Sequence, residues 1–416
     1  MIQKPLNMAE LSYNKLDEKL FAIYCKLPIF PFYKLVSPDK NHSLEQKNIF
    51  LKNNICPTFS YSQAMQFDVD GYLRALELAK KQMIEINSDK WILDLYLSKL
   101  DEQKERAQII NAIKEKNDKL VSELSKKLFC FDKIDRKTLE EELDQMINSN
   151  KKLHPHIKRI NAQMFAKMVE AILNHYKIQN WKIKFSDESC VKLTRTRYAK
   201  HPVIRIPNNF LTTKARARRI LTHEIEVHAL RTQNATNSPL HILTLGLDHY
   251  ISTEEGLALC FQQKISKCKT PGFWESYACA LSQEMDFVGV FNTLLDARTK
   301  LDNAIGHNKS DIQRKNKIWN LCVRTYKGVY FPNQSKLGTC KDSIYRTGLS
   351  TISNINISDA NIQKQLFAGK IGIQHLDITK NIDLSFVKTP NFVSKSASKN
   401  IYSTAKTPSR KANLFS

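Results

Sequence analysis

Between residues 67 and 86, in FDVDGYLRALELAKKQMIEI, apolar side chains recur every three or four positions. That period predicts an amphipathic helix. The stretch 94–130 carries the same period for longer and predicts one long helix or a helical pair, its mixed charges forming a solvated face. Past residue 180 the period shortens. WKIKFSD (181–187) alternates apolar and polar positions, as a strand does. VKLTRTRYAKHPVIRIPNN (191–209) predicts two strands around a Lys200-His201-Pro202 turn, the second stopped by Pro207 and Asn208-Asn209. Thr212 or Thr213 then caps a helix. Residues 253–305 return to the helical period, and 318–383 mix short helices with loops. From Ser385 onward serine, lysine and proline dominate without an acidic residue, which predicts a basic disordered tail. The expected fold is helix-rich α+β in three parts: a helical region 1–150, a mixed domain 151–384 and the tail 385–416.

Composition adds limits. A chain of 416 residues with 42% hydrophobic content is long enough for one large or two ordinary cores. It has no run of 18 apolar residues, and MIQKPLNMAELSYNKL lacks the apolar stretch of a secretory signal. A cytoplasmic location is expected, with a secreted effector route left open. Nine cysteines without CxxC pairs read as free thiols. The net charge of +23 points to an anionic partner or to a lysine-rich composition. Most of the cations are lysine, and neither zinc-finger spacing nor an RNP aromatic motif occurs, which argues against nucleic acid. Oligomeric state leaves no trace in the pattern.

The chemistry concentrates in LTHEIEVHALRTQN (221–234), with His223, Glu224 and His228 in an apolar run. On an α-helix, residues four apart are separated by about 40°, and residues five apart by about 140°. A regular helix therefore turns His223 and His228 to different faces. One π-turn absorbs the extra residue, and such distortions concentrate at functional sites. Two imidazoles and a carboxylate suit Zn2+, one per chain, with Glu224 activating a zinc-bound water. ISTEEGLALCF (251–261) offers Glu254 and Glu255, the latter 27 residues beyond His228, a gluzincin-like separation. Ser252 and Glu255 also have capping-box spacing, and His241 and His249 are rival third ligands. His154 and His156, flanking Pro155 near the join of the first two parts, read as loop histidines.

HEIEVHALRTQN followed by TEEGLA resembles the QEGLA-motif peptidases, which include the microtubule-associated tyrosine carboxypeptidases of animals. RTRYAKHPVIRIPNNF upstream agrees, as do VRTYKGV (323–329), CKDSIYRTGL (340–349) and FAGKIGIQHL (367–376) downstream. The resemblance implies a zincin-type metallo-carboxypeptidase with a small sheet beside the metal-binding helix. It makes His223, His228 and Glu255 the metal ligands and Glu224 the catalytic residue. Glu254 stands where many relatives carry glutamine, and Glu226 and Val227 stand where relatives often carry glycine and a small residue or valine. The implied substrate is the C-terminal residue of a protein or peptide tail, tyrosine being the best-known choice, on an acidic, tubulin-like partner.

A carboxypeptidase must hold a terminal carboxylate, which suits a bidentate arginine. Arg324 is the first candidate, followed by Arg205, Arg231 and Lys370. Tyr326 and Tyr345 are candidate donors to a developing oxyanion. The strand VIRIP is expected to pair with the substrate backbone, and KARARR (214–219) to attract an acidic tail. Two other readings stay open at this point: a zinc endopeptidase, and a basic microtubule- or nucleic-acid-binding protein with an inactive site.

Overall fold

The computed structural model describes residues 8–86, 89–131, 135–149, 159–188, 190–194, 201–266, 270–306 and 309–391. His154, His156, the whole RTRYAK segment and the tail beyond Asn391 lie outside them. The chain packs as two units. One comprises Met1–Pro155, Leu247–Ser252 and Thr270–Ser350; the other comprises His156–Gly246, Thr253–Lys269 and Thr351–Ser416. The units interleave along the sequence, whereas three consecutive parts were expected: 270–350 packs with the N-terminal helices because its apolar faces complete their core. Among the described residues, no helix is long and apolar enough to cross a membrane.

The first unit is helical. The helix expected within 67–86 spans Val69–Ile84, and the Asp68 carboxylate caps it by accepting from Gly71 N–H. The segment 94–130 is a helical pair, Lys90–Lys114 and Asp118–Leu128. Lys116 enters the left-handed region at φ 54°, and Asn117 caps the second helix through Leu120 N–H. These two features break what the hydrophobic period alone would continue. An edge-to-face cluster of Phe50, Phe287 and Phe291, joined by Trp319, fills part of the core. The charged face expected to be solvated is not so throughout. Lys99, Glu102 and Arg106 are buried, with Glu102 accepting from Lys99 Nζ at 2.6 Å and from Arg106 at 2.8 Å.

The second unit holds the strands and the candidate site. Among the described residues, five strands form two small sheets: β1 (Arg159–Asn161), β2 (Lys182–Ser186), β3 (Lys192–Thr194), β4 (Val203–Pro207) and β5 (Leu211–Thr213). The larger sheet has the order β2-β4-β3, with β4 parallel to β2 and antiparallel to β3; β1 and β5 pair antiparallel. VIRIP is therefore the central strand. β2 pairs with all five of its residues and β3 with Val203–Arg205, so among the described residues Ile206 and Pro207 alone keep an open edge, which leaves at most those two positions for the expected pairing with a substrate backbone.

Ile204 and Ile206 of β4 point into a core with Phe165, Val169, Ile172, Leu221, Ile225, Leu257 and Phe261. Thr213 follows β5 and caps the next helix through Arg216 N–H. That helix runs without interruption from Lys214 to Asn237, but its middle, Leu221–Ala229, is π-helical. The beginning of the expected tail packs here too: Val387 is buried, and Asn391 N–H donates to the Tyr176 hydroxyl.

Candidate metal centre

The π-helical turns hold the two histidines. Their i→i+5 bonding widens each turn, so residues five apart share a face. His223 and His228 accordingly stand together, with ring centroids 4.7 Å apart. The core fixes this segment from behind through Leu221, Ile225 and Val227, all fully or almost fully buried. Glu226 points away from the histidines: it accepts from the Tyr176 hydroxyl at 2.7 Å and from the Thr222 hydroxyl at 3.0 Å.

The helix Ile251–Ser266 brings in the third group. Glu255 Oε2 lies 3.2 Å from His223 Nε2 and 3.8 Å from His228 Nε2. One ligand atom from each of the three residues falls within 4.8 Å of the others. A tetrahedral ion with bonds of about 2.0–2.1 Å sets its ligand atoms roughly 3.3 Å apart, close to this spacing. Glu255 Oε2 is buried and accepts no hydrogen bond of good geometry, which is the condition of a ligand atom awaiting a cation. The carboxylate faces the histidines rather than capping its own helix.

Other side chains orient the rings. Glu254 Oε1 lies 2.8 Å from His228 Nδ1, and the Gln262 amide lies 2.9 Å from His223 Nδ1. On His228, whose Nδ1 donates to Glu254, this leaves Nε2 for an ion, the usual arrangement of ligating histidines; His223 reaches the same state once the Gln262 amide turns its oxygen, in place of its nitrogen, to Nδ1. Glu254 is itself fixed by Arg231 Nη1 at 3.0 Å and Lys370 Nζ at 3.9 Å. Burial would raise the Glu254 pKa, but Lys370, Arg231 and His228 hold it well below the usual carboxylate range. Burial opposes the charge of His228, yet Glu255, Glu254 and Glu224 outweigh it and push its pKa up to about 9. The cluster thus favours positive charge at its centre. Burial raises the Glu224 pKa, opposed by the two histidines and reinforced by Glu255 and Glu254. Glu224 also lines a cavity of about 290 Å3 bounded by β4, β5 and the start of the His223 helix.

The sequence of this chain matches the model of the microtubule-associated tyrosine carboxypeptidase family over residues 49–410. The chain belongs to that family. No curated protein matches it significantly. The family match spans His223, His228 and Glu255 and the downstream blocks through FAGKIGIQHL, so the candidate cluster lies within a carboxypeptidase sequence frame.

For this family member, the remaining nominees are placed differently. Arg231 is fully enclosed and donates to Leu366 O, Ile371 O and Glu254, so its guanidinium is an internal brace with no face for a substrate. Tyr326 is fully buried and its hydroxyl donates to Met285 O, which removes it as an oxyanion donor. Arg324 pairs with Asp342 at 2.9 Å and approaches Glu275 at 3.9 Å; with half-buried Tyr345 it belongs to the helical unit. Arg205 donates to the Thr194 hydroxyl at 2.9 Å and faces Glu188 at 3.7 Å. Lys370 faces Glu254. Sequence reasoning missed Gln262, although it follows Glu255 by two helical turns and so shares its face. It also missed Arg216 as an individual residue: within KARARR it looked like one cation among several, and the structure sets it on the wall of the Glu224 cavity.

Proposed function

We propose that this chain is a zinc-dependent carboxypeptidase of zincin type, which removes the C-terminal residue of an acidic protein tail, tyrosine on a tubulin-like partner being the family's substrate. The observation that carries this reading is the convergence of His223, His228 and Glu255 beside Glu224, within a sequence that belongs to a carboxypeptidase family. His223 and His228 would hold one zinc ion through Nε2 and Glu255 through Oε2. The bound ion would supply Lewis acidity to the scissile carbonyl and to water.

The chain's own groups do the rest. Glu254 keeps the His228 ring in the tautomer that presents Nε2, and Gln262 does the same for His223 when its amide oxygen faces Nδ1. Arg231 holds Glu254 in place from the interior. Glu224 receives the proton of the attacking water and delivers it to the leaving amine, a task suited to a carboxylate whose partial burial makes protonation easy. The basic helix start at 214–219 draws an acidic tail toward the cavity, an attraction that salt weakens.

The test uses purified full-length chain with stoichiometric zinc and a mixed peptide pool, read by mass spectrometry. Loss of single C-terminal residues is expected, with Glu224→Gln keeping its zinc and losing turnover. Cleavage at internal bonds, equal for free-acid and amidated peptides, would replace the carboxypeptidase with an endopeptidase. A full zinc load with no hydrolysis of any peptide would leave a binding protein.

A further inference from the structure

The larger sheet ends in β2, and this edge has a chemistry of its own. β4 pairs with all five residues of β2 on one side. Lys182 N–H donates to Pro202 O at 2.9 Å, and Ser186 O accepts from Asn208 N–H at 2.8 Å. The backbone groups of a strand point to its two sides alternately, so Lys182, Lys184 and Ser186 bond inward. The N–H and C=O groups of Ile183 and Phe185 point outward, and among the described residues no strand lies beside them.

Side chains add charge to this open edge. Lys182 and Lys184 are exposed, on the face of the sheet opposite to the one that Ile204 and Ile206 turn to the core. Lys184 is in register with Arg205, and Arg205 with Lys192, so the three form a row of cations across the sheet. Glu188 approaches Arg205 at 3.7 Å and Lys192 at 3.5 Å, which leaves the β2 end of the row the more positive. On the other face Phe185 is 43% exposed. A strand laid beside β2 therefore meets lysines at alternate positions on one face and an aromatic ring on the other.

Lysines on an edge strand guard it against further pairing. That guard is selective by charge. A second copy of β2 would set lysine beside lysine, whereas a strand with acidic residues at alternate positions gains cross-strand ion pairs. The stretches of this unit outside the described residues, 156–158, 189, 195–200, 267–269 and 392–416, contain no aspartate or glutamate, so they do not supply such a strand.

We propose that the open edge of β2 binds an extended acidic segment of a partner protein as an added strand, with acidic residues alternating with apolar ones. Lys182 and Lys184 pair with the acidic side chains, Phe185 packs against an apolar one, and Ile183 and Phe185 supply the backbone hydrogen bonds. The segment is internal, since none of these groups selects a chain end. The proposal goes beyond the carboxypeptidase reading: it requires neither the ion nor Glu224, and it gives a partner a hold separate from the residue removed.

The probe is a fluorescent peptide of alternating glutamate and valine, acetylated and amidated so that it offers no free terminus. It is titrated into the full-length chain and read by anisotropy. It should bind about tenfold more tightly than its serine–valine counterpart, the worth of two cross-strand ion pairs, and more tightly than an isomer with its glutamates in one block. Salt should weaken it. Lys182→Glu together with Lys184→Glu should turn the preference toward a lysine–valine peptide. Methylation of alternate backbone nitrogens tests the added strand itself: on the set that faces β2 it should cost about tenfold or more, and on the other set less than about threefold. Hydrogen exchange should slow at the Ile183 and Phe185 amides when the peptide is bound.

Equal effects of the two methylated sets, or equal affinity for the alternating and blocked isomers, overturn the proposal and leave β2 a plain charged surface. Affinity unmoved by the two lysine substitutions overturns it as well. The carboxypeptidase reading is judged separately, by release of a C-terminal residue from free-acid peptides. Release there without binding here sinks only the strand-pairing site, and binding here without release there sinks only the enzyme.

Discussion

Glu254 does two things at once, and a single substitution can measure both. Its carboxylate accepts from His228 Nδ1 at 2.8 Å and from Arg231 at 3.0 Å, and Arg231 has no solvent exposure. Glu254→Gln keeps the shape and one acceptor for the ring but removes the counter-charge. Arg231 would retain Leu366 O and Ile371 O, both neutral. Leaving an enclosed cation without its anion costs about 3–5 kcal/mol, and the two remaining carbonyls place this case near 3 kcal/mol. Zinc affinity should also fall by about tenfold for Glu254→Gln, and by about 100-fold for Glu254→Ala, which removes the tether altogether. Urea unfolding of metal-free protein measures the first quantity, and competition with a fluorescent chelator the second. A Glu254→Leu, Arg231→Met double variant should recover most of the stability and none of the affinity. A metal-free loss under about 1 kcal/mol for Glu254→Gln, or zinc affinities within twofold for all variants, would refute the reasoning.

Metal removal by a chelator should abolish hydrolysis yet leave far-ultraviolet circular dichroism unchanged, because buried apolar side chains, and not the ion, hold the histidine segment. Restored zinc should raise the melting temperature with concentration, as binding to the folded state alone requires. Glu226→Ala takes the acceptor from the buried Thr222 and Tyr176 hydroxyls, the latter keeping Asn391 N–H, and should cost about 2 kcal/mol by chemical denaturation, yet shift zinc affinity less than threefold, since the carboxylate faces Tyr176 and Thr222. In the helical unit, burial would raise the Glu102 pKa, but Lys99 and Arg106 hold it at about 2 against an ordinary 4.5. A depressed carboxylate pKa stabilises the fold above the unfolded value, and the contribution disappears as pH falls from about 4.5 to about 2. Its size is at most about 3 kcal/mol, reduced because burial pushes the Lys99 pKa down. Denaturation of Glu102→Gln should therefore trail the unmutated chain at pH 7, and the gap should narrow steadily below pH 4.5; a gap independent of pH would contradict the ion-pair account.

How much of this was legible in the sequence depends on the range of the interaction involved. The helix at Val69–Ile84, the strands β2 and β4 and the Thr213 cap follow from local period and turn chemistry. The π-helix was legible for a different reason: two histidines five apart can serve one ion only if the helix widens. Glu255 was narrowed down by its distance along the chain and by resemblance. The orientation of the rings was not legible, because Glu254 and Gln262 reach His228 and His223 across 26 and 39 positions. Nor was the burial of Lys99, Glu102 and Arg106. Their i, i+3 and i+4 spacing reads the same on a solvated face as in a core, and only the elements packed against them decide which it is. The interleaving of the two units escaped for the same reason, since a helical period does not say which core a helix completes.

The π-helical stretch ties these levels together. A π segment has poorer hydrogen-bond geometry than an α-helix and survives where its surroundings compensate. Here the compensation comes from two sides. Toward the core, Leu221, Ile225 and Val227 are buried, and Glu226 has both oxygens satisfied by Tyr176 and Thr222. Toward the cluster, His223 and His228 are fixed at Nδ1 by residues of another helix. Glu226 thus turns away from the two histidines, although its place between them in the sequence suggests otherwise; it is the group that fastens the widened turn to the core. A chain with glycine at that position has to secure the turn by other contacts. The glutamate at 226 is therefore part of how the histidine frame is supported, and it points away from the cluster of His223, His228 and Glu255.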